Sequence, residues 1–185
     1  MNSLIFIDTE TTGLDPNVHE IIEIAIVIIT PSKGKLIYEF KIKPQRLIMA
    51  NQKALEINGY NDLAWQDTKP FKHHAEYIAH LLSDGIIIGH NVDFDYQFIK
   101  AELRRANCKT RISYKRIDTQ MLAREHLPLV KVSLDQCRLF FGWKLEGHHR
   151  ALKDALDAKK LYYKLNRATI IHRLFWRIKL LWLSR

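Results

Sequence analysis

Three short stretches of this chain, far apart in sequence, hold residues that can do chemistry together. They are Asp8-Thr9-Glu10-Thr11-Thr12-Gly13, His90-Asn91-Val92-Asp93-Phe94-Asp95 and His149-Arg150-Ala151-Leu152-Lys153-Asp154-Ala155. Together they supply four well-placed carboxylates and one histidine. Such a set can hold two hard cations and activate a water. Asp8 and Glu10 lie two apart, so on a strand their side chains share a face. Carboxylates this close repel unless a cation sits between them. Mg²⁺ or Mn²⁺ fits, because both take oxygen ligands. Taken alone, Asp-x-Glu also describes two surface acids at a strand end. The strand context and the following Thr-Thr-Gly favour the metal reading. Gly13 allows a close backbone turn, and amides near it can hold a terminal nucleotide.

The second stretch offers Asp93 and Asp95, and chemistry alone leaves both open. Asp93 can cap the helix that follows, while Asp95 lies in its first turn and can point back over the strand ends. Asn91 and Phe94 are candidate substrate contacts, and Phe94 is equally suited to core packing. In the third stretch, His149 and Asp154 lie five residues apart at a helix start. A histidine near neutral pKa suits proton abstraction from a metal-bound water. His148 is the rival for that role.

The elements that must position these groups read clearly. Leu4-Ile5-Phe6-Ile7 is a continuous apolar run ending at Asp8, the pattern of a central strand buried on both faces. Asp8 and Glu10 then fall at its carboxyl end, the usual place for an α/β active site. Residues 20–30 are rich in Ile and Val, Pro31-Ser32-Lys33-Gly34 marks a turn, and residues 35–43 alternate as a strand nearer an edge does. These two strands should form a hairpin with the first. Pro44 breaks the pattern. A helix is expected near 50–57, then a loop at Asn58-Gly59-Tyr60. Pro70 can open a helix running to about residue 83. Ile86-Ile87-Ile88-Gly89 reads as another buried strand, residues 94–106 as a helix, and Lys115-Arg116-Ile117-Asp118 as a short strand. Helices are expected near 119–125, 133–140 and 149–166. The class is α/β, with a mixed central sheet of about five strands flanked by helices.

The chain has 185 residues, 47% of them apolar, which suits one domain with a single core. Cys108 and Cys137 read as reduced thiols rather than a disulfide scaffold, which points to the cytoplasm. No cleavable leader is expected ahead of the first strand. The formal net charge is +9 and unevenly spread. Residues 1–157 hold 21 Lys/Arg and 20 Asp/Glu, a net of +1, whereas residues 158–185 hold 8 Lys/Arg and no acid. Such a tail can attract phosphates or anionic lipid, or simply keep a near-neutral domain soluble.

Taken together, these segments resemble the DnaQ-like, or DEDDh, family of 3′–5′ exonucleases. The resemblance runs from about residue 3 to residue 166 and includes Asp118-Thr119, Ser133-Leu134-Asp135 and Ala155-Leu156-Asp157-Ala158. It implies a ribonuclease H-like fold and an exonuclease domain over residues 1–166. The family's register selects Asp95 over Asp93 and His149 over His148. By this resemblance Asp8, Glu10, Asp95 and Asp154 hold two Mg²⁺ or Mn²⁺ ions. His149 is the general base, and Thr11, Gly13, Leu14, Asn91 and Phe94 meet the substrate. The implied reaction releases nucleoside 5′-monophosphates from a 3′ end, with single-stranded or frayed DNA favoured over RNA. A catalytically silent binding module is the alternative of another class. It is disfavoured by the presence of all five catalytic positions. Two departures stand out. Asn58-Gly59-Tyr60 replaces a His-Gly-Ile stretch that usually lies beside the substrate. The basic, apolar extension at 167–185 is not required by the family.

Within that extension Ile171, Leu174, Phe175, Ile178, Leu181 and Trp182 recur at helical spacing. Arg173, Arg177 and Lys179 lie off the stripe, as do Trp176, Leu180 and Leu183. A helix here can pack on the body, dock a partner such as a polymerase, or lie on an anionic membrane surface. Gln136-Cys137-Arg138-Leu139-Phe140 loosely resembles a sliding-clamp-binding peptide. Because it falls inside an expected helix, Leu139 and Phe140 are expected in the core.

Overall fold

The computed structural model describes residues 3–32, 34–145, 150–167 and Trp176. A five-stranded sheet forms from β1 (Leu4–Thr11), β2 (Ile21–Thr30), β3 (Gly34–Lys41), β4 (Ile86–Gly89) and β5 (Arg116–Asp118), in the order β3-β2-β1-β4-β5. β1 pairs antiparallel with β2 and parallel with β4, so the sheet is mixed and β1 lies at its centre. The hairpin and the central placement of β1 agree with the sequence expectation.

β1 is apolar on both faces because both are covered. Ile5 and Ile7 pack in one cluster with α3 (Phe71–Leu81) and α4 (Val92–Arg105). Phe6 faces the other way, against Ala151, Ala155 and Tyr162 of α7 (Ala151–Asn166). The two-residue period then carries Phe6, Asp8 and Glu10 onto the α7 side, and Ile5, Ile7 and Thr9 onto the α4 side. This alternation aims both acids of the first motif at the helix that holds Asp154. β3 has no fully buried residue, as an edge strand should. Ile37 stays 42% exposed, while Leu36, Tyr38 and Phe40 lean on the core.

A third apolar cluster joins α5 (Thr119–His126), α6 (Leu134–Phe141) and α7 through Ala123, Leu134, Cys137, Phe140 and Leu161. Phe140 is core as expected, but Leu139 is 54% exposed. The stripe of α6 runs through 134, 137 and 138, which turns 139 to solvent. Several helix starts differ from expectation by one or two residues, and one helix was not expected. α4 begins at Val92, because Asn91 takes a left-handed conformation (φ 66°) that ends the strand turn at once. A short α2 (Asp62–Trp65) was not expected; Asn61 caps it, and Trp65 Nε1 donates to the Ile22 carbonyl at 3.0 Å. α1 (Gln52–Ile57) falls where a helix was expected.

Of the extension, Trp176 is described, and it is buried at 7% exposure. It joins the α5–α6–α7 cluster and meets Phe141 edge to face at 5.6 Å. Trp176 lies off the proposed stripe, yet it is a point where this segment packs on the body. The stripe residues themselves lie outside the described residues. Trp176→Ala should cost about 3–5 kcal/mol, the range for emptying a large aromatic site. Denaturant unfolding checks this, and an unchanged midpoint would show that Trp176 contributes no packing.

Candidate carboxylate active site

Asp8 and Glu10 from β1 and Asp154 from the first turn of α7 each present an oxygen within 4.8 Å of the others. Glu10 is 8% exposed. Burial drives the Asp8 carboxyl well above the usual range, and the nearby Asp95, Asp154 and Glu10 charges push it further. Glu10 is pushed up to about 8, by burial first and then by Asp154, Glu23 and Asp95. Three acids crowded in this way resist being ionised together without a cation. The donor set is all oxygen, which suits a hard divalent ion. The group therefore fits the metal role expected from the sequence.

Asp95 is buried in α4 and lies outside that trio. Its Oδ1 accepts from the Thr9 amide at 2.8 Å and the Thr9 hydroxyl at 2.7 Å. Burial raises its pKa to about 7, although the two Thr9 hydrogen bonds pull the other way. Asp93 instead pairs with Arg116 on the surface at 2.8 Å, and Arg116 in turn stacks over Tyr96 at 4.1 Å. The structure thus separates two acids that chemistry alone left open. Asp95→Asn should cut turnover by about 10²-fold or more, on the scale of losing a group that holds a metal-site geometry. Asp93→Asn should cost at most about 1 kcal/mol of stability and leave turnover near wild type, as for a surface ion pair. Steady-state kinetics on both variants check this, and the reverse order would overturn the assignment.

Two buried groups that the sequence did not single out organise the third motif. Glu23 of β2 stands opposite Glu10 in the sheet register and is 1% exposed. Its Oε1 accepts from the Ala151 amide at 3.2 Å, and its Oε2 lies 3.5 Å from Arg150 Nε. This anchors the start of α7, one turn before Asp154, to the sheet. Arg138 of α6 is also buried and pairs with Asp154 Oδ1 at 2.6 Å. An arginine within the apolar stripe Leu134, Cys137, Arg138 is the signal that would have found it.

The loop after β1 is held from several sides. Thr11 is buried, and its hydroxyl donates to the Gly13 carbonyl at 2.7 Å. A Cβ at Gly13 would stand 2.3 Å from the His19 ring, so any larger residue would displace that ring. Arg105, paired with Glu102, donates to the Pro16 and His19 carbonyls at 2.7 and 3.0 Å. Leu14 projects from this braced loop at 82% exposure. Asn58, at the departure from the family pattern, donates to the Thr11 carbonyl at 2.9 Å. The Asn91 amide donates to Asp118 at 2.9 Å. Phe94 is half-buried against Phe98, with ring centres 4.8 Å apart. His148 and His149 lie outside the described residues.

Comparison with known proteins accords with this geometry. The exonuclease family model RNase_T matches residues 5–162. A DNA polymerase III PolC-type protein of Thermotoga maritima is 36% identical over 166 residues, covering 88% of this chain and 12% of the relative. A DNA polymerase III subunit epsilon of Rickettsia felis is 35% identical over 174 residues, covering 89% of this chain and 75% of the relative. Among solved structures, exonuclease X in complex with 5′ overhanging duplex DNA superposes with TM-score 0.67 at 24% identity, covering 88% of this chain and 90% of that one. E. coli exonuclease I in complex with a dT13 oligonucleotide gives 0.74 at 19% identity, covering 95% and 43%. This chain therefore spans less than half of exonuclease I and about an eighth of the PolC-type relative. The likeness to the solved structures shows the fold, which is ribonuclease H-like. The chain belongs to the DnaQ-like 3′–5′ exonuclease family.

Proposed function

We propose that this chain is a metal-dependent 3′–5′ exonuclease acting on DNA, with single-stranded or frayed 3′ ends as its substrate. The observation that carries this reading is the Asp8–Glu10–Asp154 oxygen cluster at the carboxyl end of the central strand. Asp8, Glu10, Asp95 and Asp154 would hold two Mg²⁺ or Mn²⁺ ions. When bound, such ions lower the pKa of an attacking water and stabilise charge on a leaving 3′ oxygen. His149 takes the proton from that water, and the product is a nucleoside 5′-monophosphate. Glu10 and Asp95 are buried and Asp8 and Asp154 partly so, which strengthens their action on a bound cation relative to acids in open water.

The remaining contacts follow from the braced loop and the start of α4. Leu14 is presented to solvent on a rigid mount and can press against a terminal base. Thr11 and Gly13 at the end of β1, and Asn91 and Phe94 at the start of α4, are the further residues proposed to meet the substrate. Phe94 keeps both of its sequence readings, since it is half-buried and packed on Phe98. DNA is favoured over RNA because relatives 36% and 35% identical to this chain are DNA polymerase III proteins by name. The same names support a polymerase as partner, with the extension at 167–185 as the contact. Peripheral membrane contact by that extension is a weaker reading. No helix among the described residues is long and apolar enough to cross a membrane. A cytoplasmic location remains the reading drawn from the free cysteines.

Matched DNA and RNA oligonucleotides of one sequence test the substrate class. Faster release from DNA is expected, and faster release from RNA would overturn the DNA preference while leaving the site assignment intact.

A further inference from the structure

Arg138 is 1% exposed at its side chain and is surrounded by carboxylates. Each guanidinium nitrogen takes a different one: Nε meets Asp157 at 2.8 Å, Nη1 meets Asp135 at 2.6 Å and Nη2 meets Asp154 at 2.6 Å. Lys153 also contacts Asp157. A planar guanidinium cannot give up its proton at any ordinary pH, so this is a fixed positive charge. It sits on one of the three acids that form the oxygen cluster.

Two consequences follow from electrostatics. Without a cation, Asp8 or Glu10 repels Asp154 whenever it ionises, and Arg138 holds Asp154 in place by its 2.6 Å ion pair. With a cation present, Asp154 serves two positive charges at once, and the like charges of Arg138 and the ion oppose each other. We propose that Arg138 is a positioning residue and internal counter-ion that competes with the divalent cation for Asp154 and so sets how tightly the site takes up metal. This rests on the reading of the cluster as a metal site. It gives α6, which supplies none of the expected ligands, a direct hold on the chemistry.

The test uses the full chain with wild type, Arg138→Met and Arg138→Lys. Mn²⁺ uptake is measured by calorimetry, and melting temperature is measured with EDTA and with saturating Mn²⁺. Arg138→Met should bind Mn²⁺ about tenfold more tightly, the scale on which groups touching metal ligands tune affinity. It should also melt lower than wild type without metal and gain more from Mn²⁺ than wild type does. Arg138→Lys keeps the charge and should stay within about threefold of wild-type affinity, because the fixed charge sets the competition. Equal or weaker Mn²⁺ binding by Arg138→Met, with equal loss of melting temperature in both conditions, would overturn the proposal. Arg138 would then simply brace α6 against α7.

If Arg138→Met does not fold, Asp135→Asn decides the question. Asp135 is 38% exposed at its side chain, and removing its charge leaves Arg138 to act more strongly on Asp154. Mn²⁺ affinity should then fall several-fold, and an unchanged affinity would overturn the proposal. A wild-type chain that neither takes up Mn²⁺ nor releases nucleotide would sink the metal-site reading as well. Uptake and release with unaltered affinity in the variants would sink this inference alone.

Discussion

Asp8→Asn should abolish nucleotide release while making the metal-free protein harder to melt. The loss should be about 10³-fold or more, the scale of removing a group that fixes charge at a reacting centre. The gain in stability has a separate cause. Asp8 is held among Asp95, Asp154 and Glu10, and both burial and these neighbours oppose its charge. An amide of the same shape removes that opposition, and each kcal/mol relieved should raise the melting temperature by about 2–4 °C in a domain of this size. Opposite movement of activity and stability is the mark of a group retained for function rather than for folding. Kinetics and thermal melts in EDTA check both parts. A variant that is inactive and also less stable would show Asp8 to be structural.

The second large effect concerns pH and metal together. Glu10 is raised to about 8 and Asp95 to about 7, against unfolded values of about 4.3 and 3.9. Below about pH 4 both folded and unfolded chains hold these protons, and the stabilisation is complete. As pH rises, the unfolded chain releases its protons first, while the folded chain keeps them until about pH 7–8. The folded state therefore binds more protons across this window, and metal-free stability falls as pH rises through it. Half-buried His90 has a pKa lowered by desolvation and works in the opposite direction, but mainly below about 6.5. Between pH 6.5 and 8 the carboxylates should dominate.

A divalent cation favours the ionised acids, so Mg²⁺ or Mn²⁺ should stabilise most at pH 8. Binding at 100 times Kd contributes about 2.7 kcal/mol, or roughly 5–10 °C here. EDTA should reverse the gain. Glu10→Gln should flatten the metal-free slope between pH 6.5 and 8, which separates this site from the remaining titrating groups. A metal-free melting temperature that climbs steadily from pH 6.5 to 8, unaffected by Glu10→Gln, would contradict the account.

The sequence was most legible where one short period governs. The apolar run before Asp8 marks a strand covered on both faces, and the two-residue spacing of Asp8 and Glu10 puts them on the face that meets α7. The edge character of β3 followed from its alternation in the same way. The choice of Asp95 over Asp93 came from resemblance, and the contact that buries Asp95 beside the first motif reaches Thr9, 86 positions away. What stayed hidden depends on pairings across long separations. Glu23 meets Ala151 across 128 positions, and Arg138 meets Asp154 across 16 positions and two helices. No local period encodes such contacts. Leu139 was misplaced for a related reason: which face of a helix is covered depends on what it packs against, and α6 turns 134, 137 and 138 inward.

The most direct measurement is a time course on 3′- and 5′-labelled single-stranded DNA with Mg²⁺, Mn²⁺ or EDTA, run beside Asp8→Asn. The account predicts a ladder that shortens from the 3′ end, requires the metal, and is absent in the variant. Shortening from the 5′ end, or digestion that persists in EDTA or in Asp8→Asn, would contradict it.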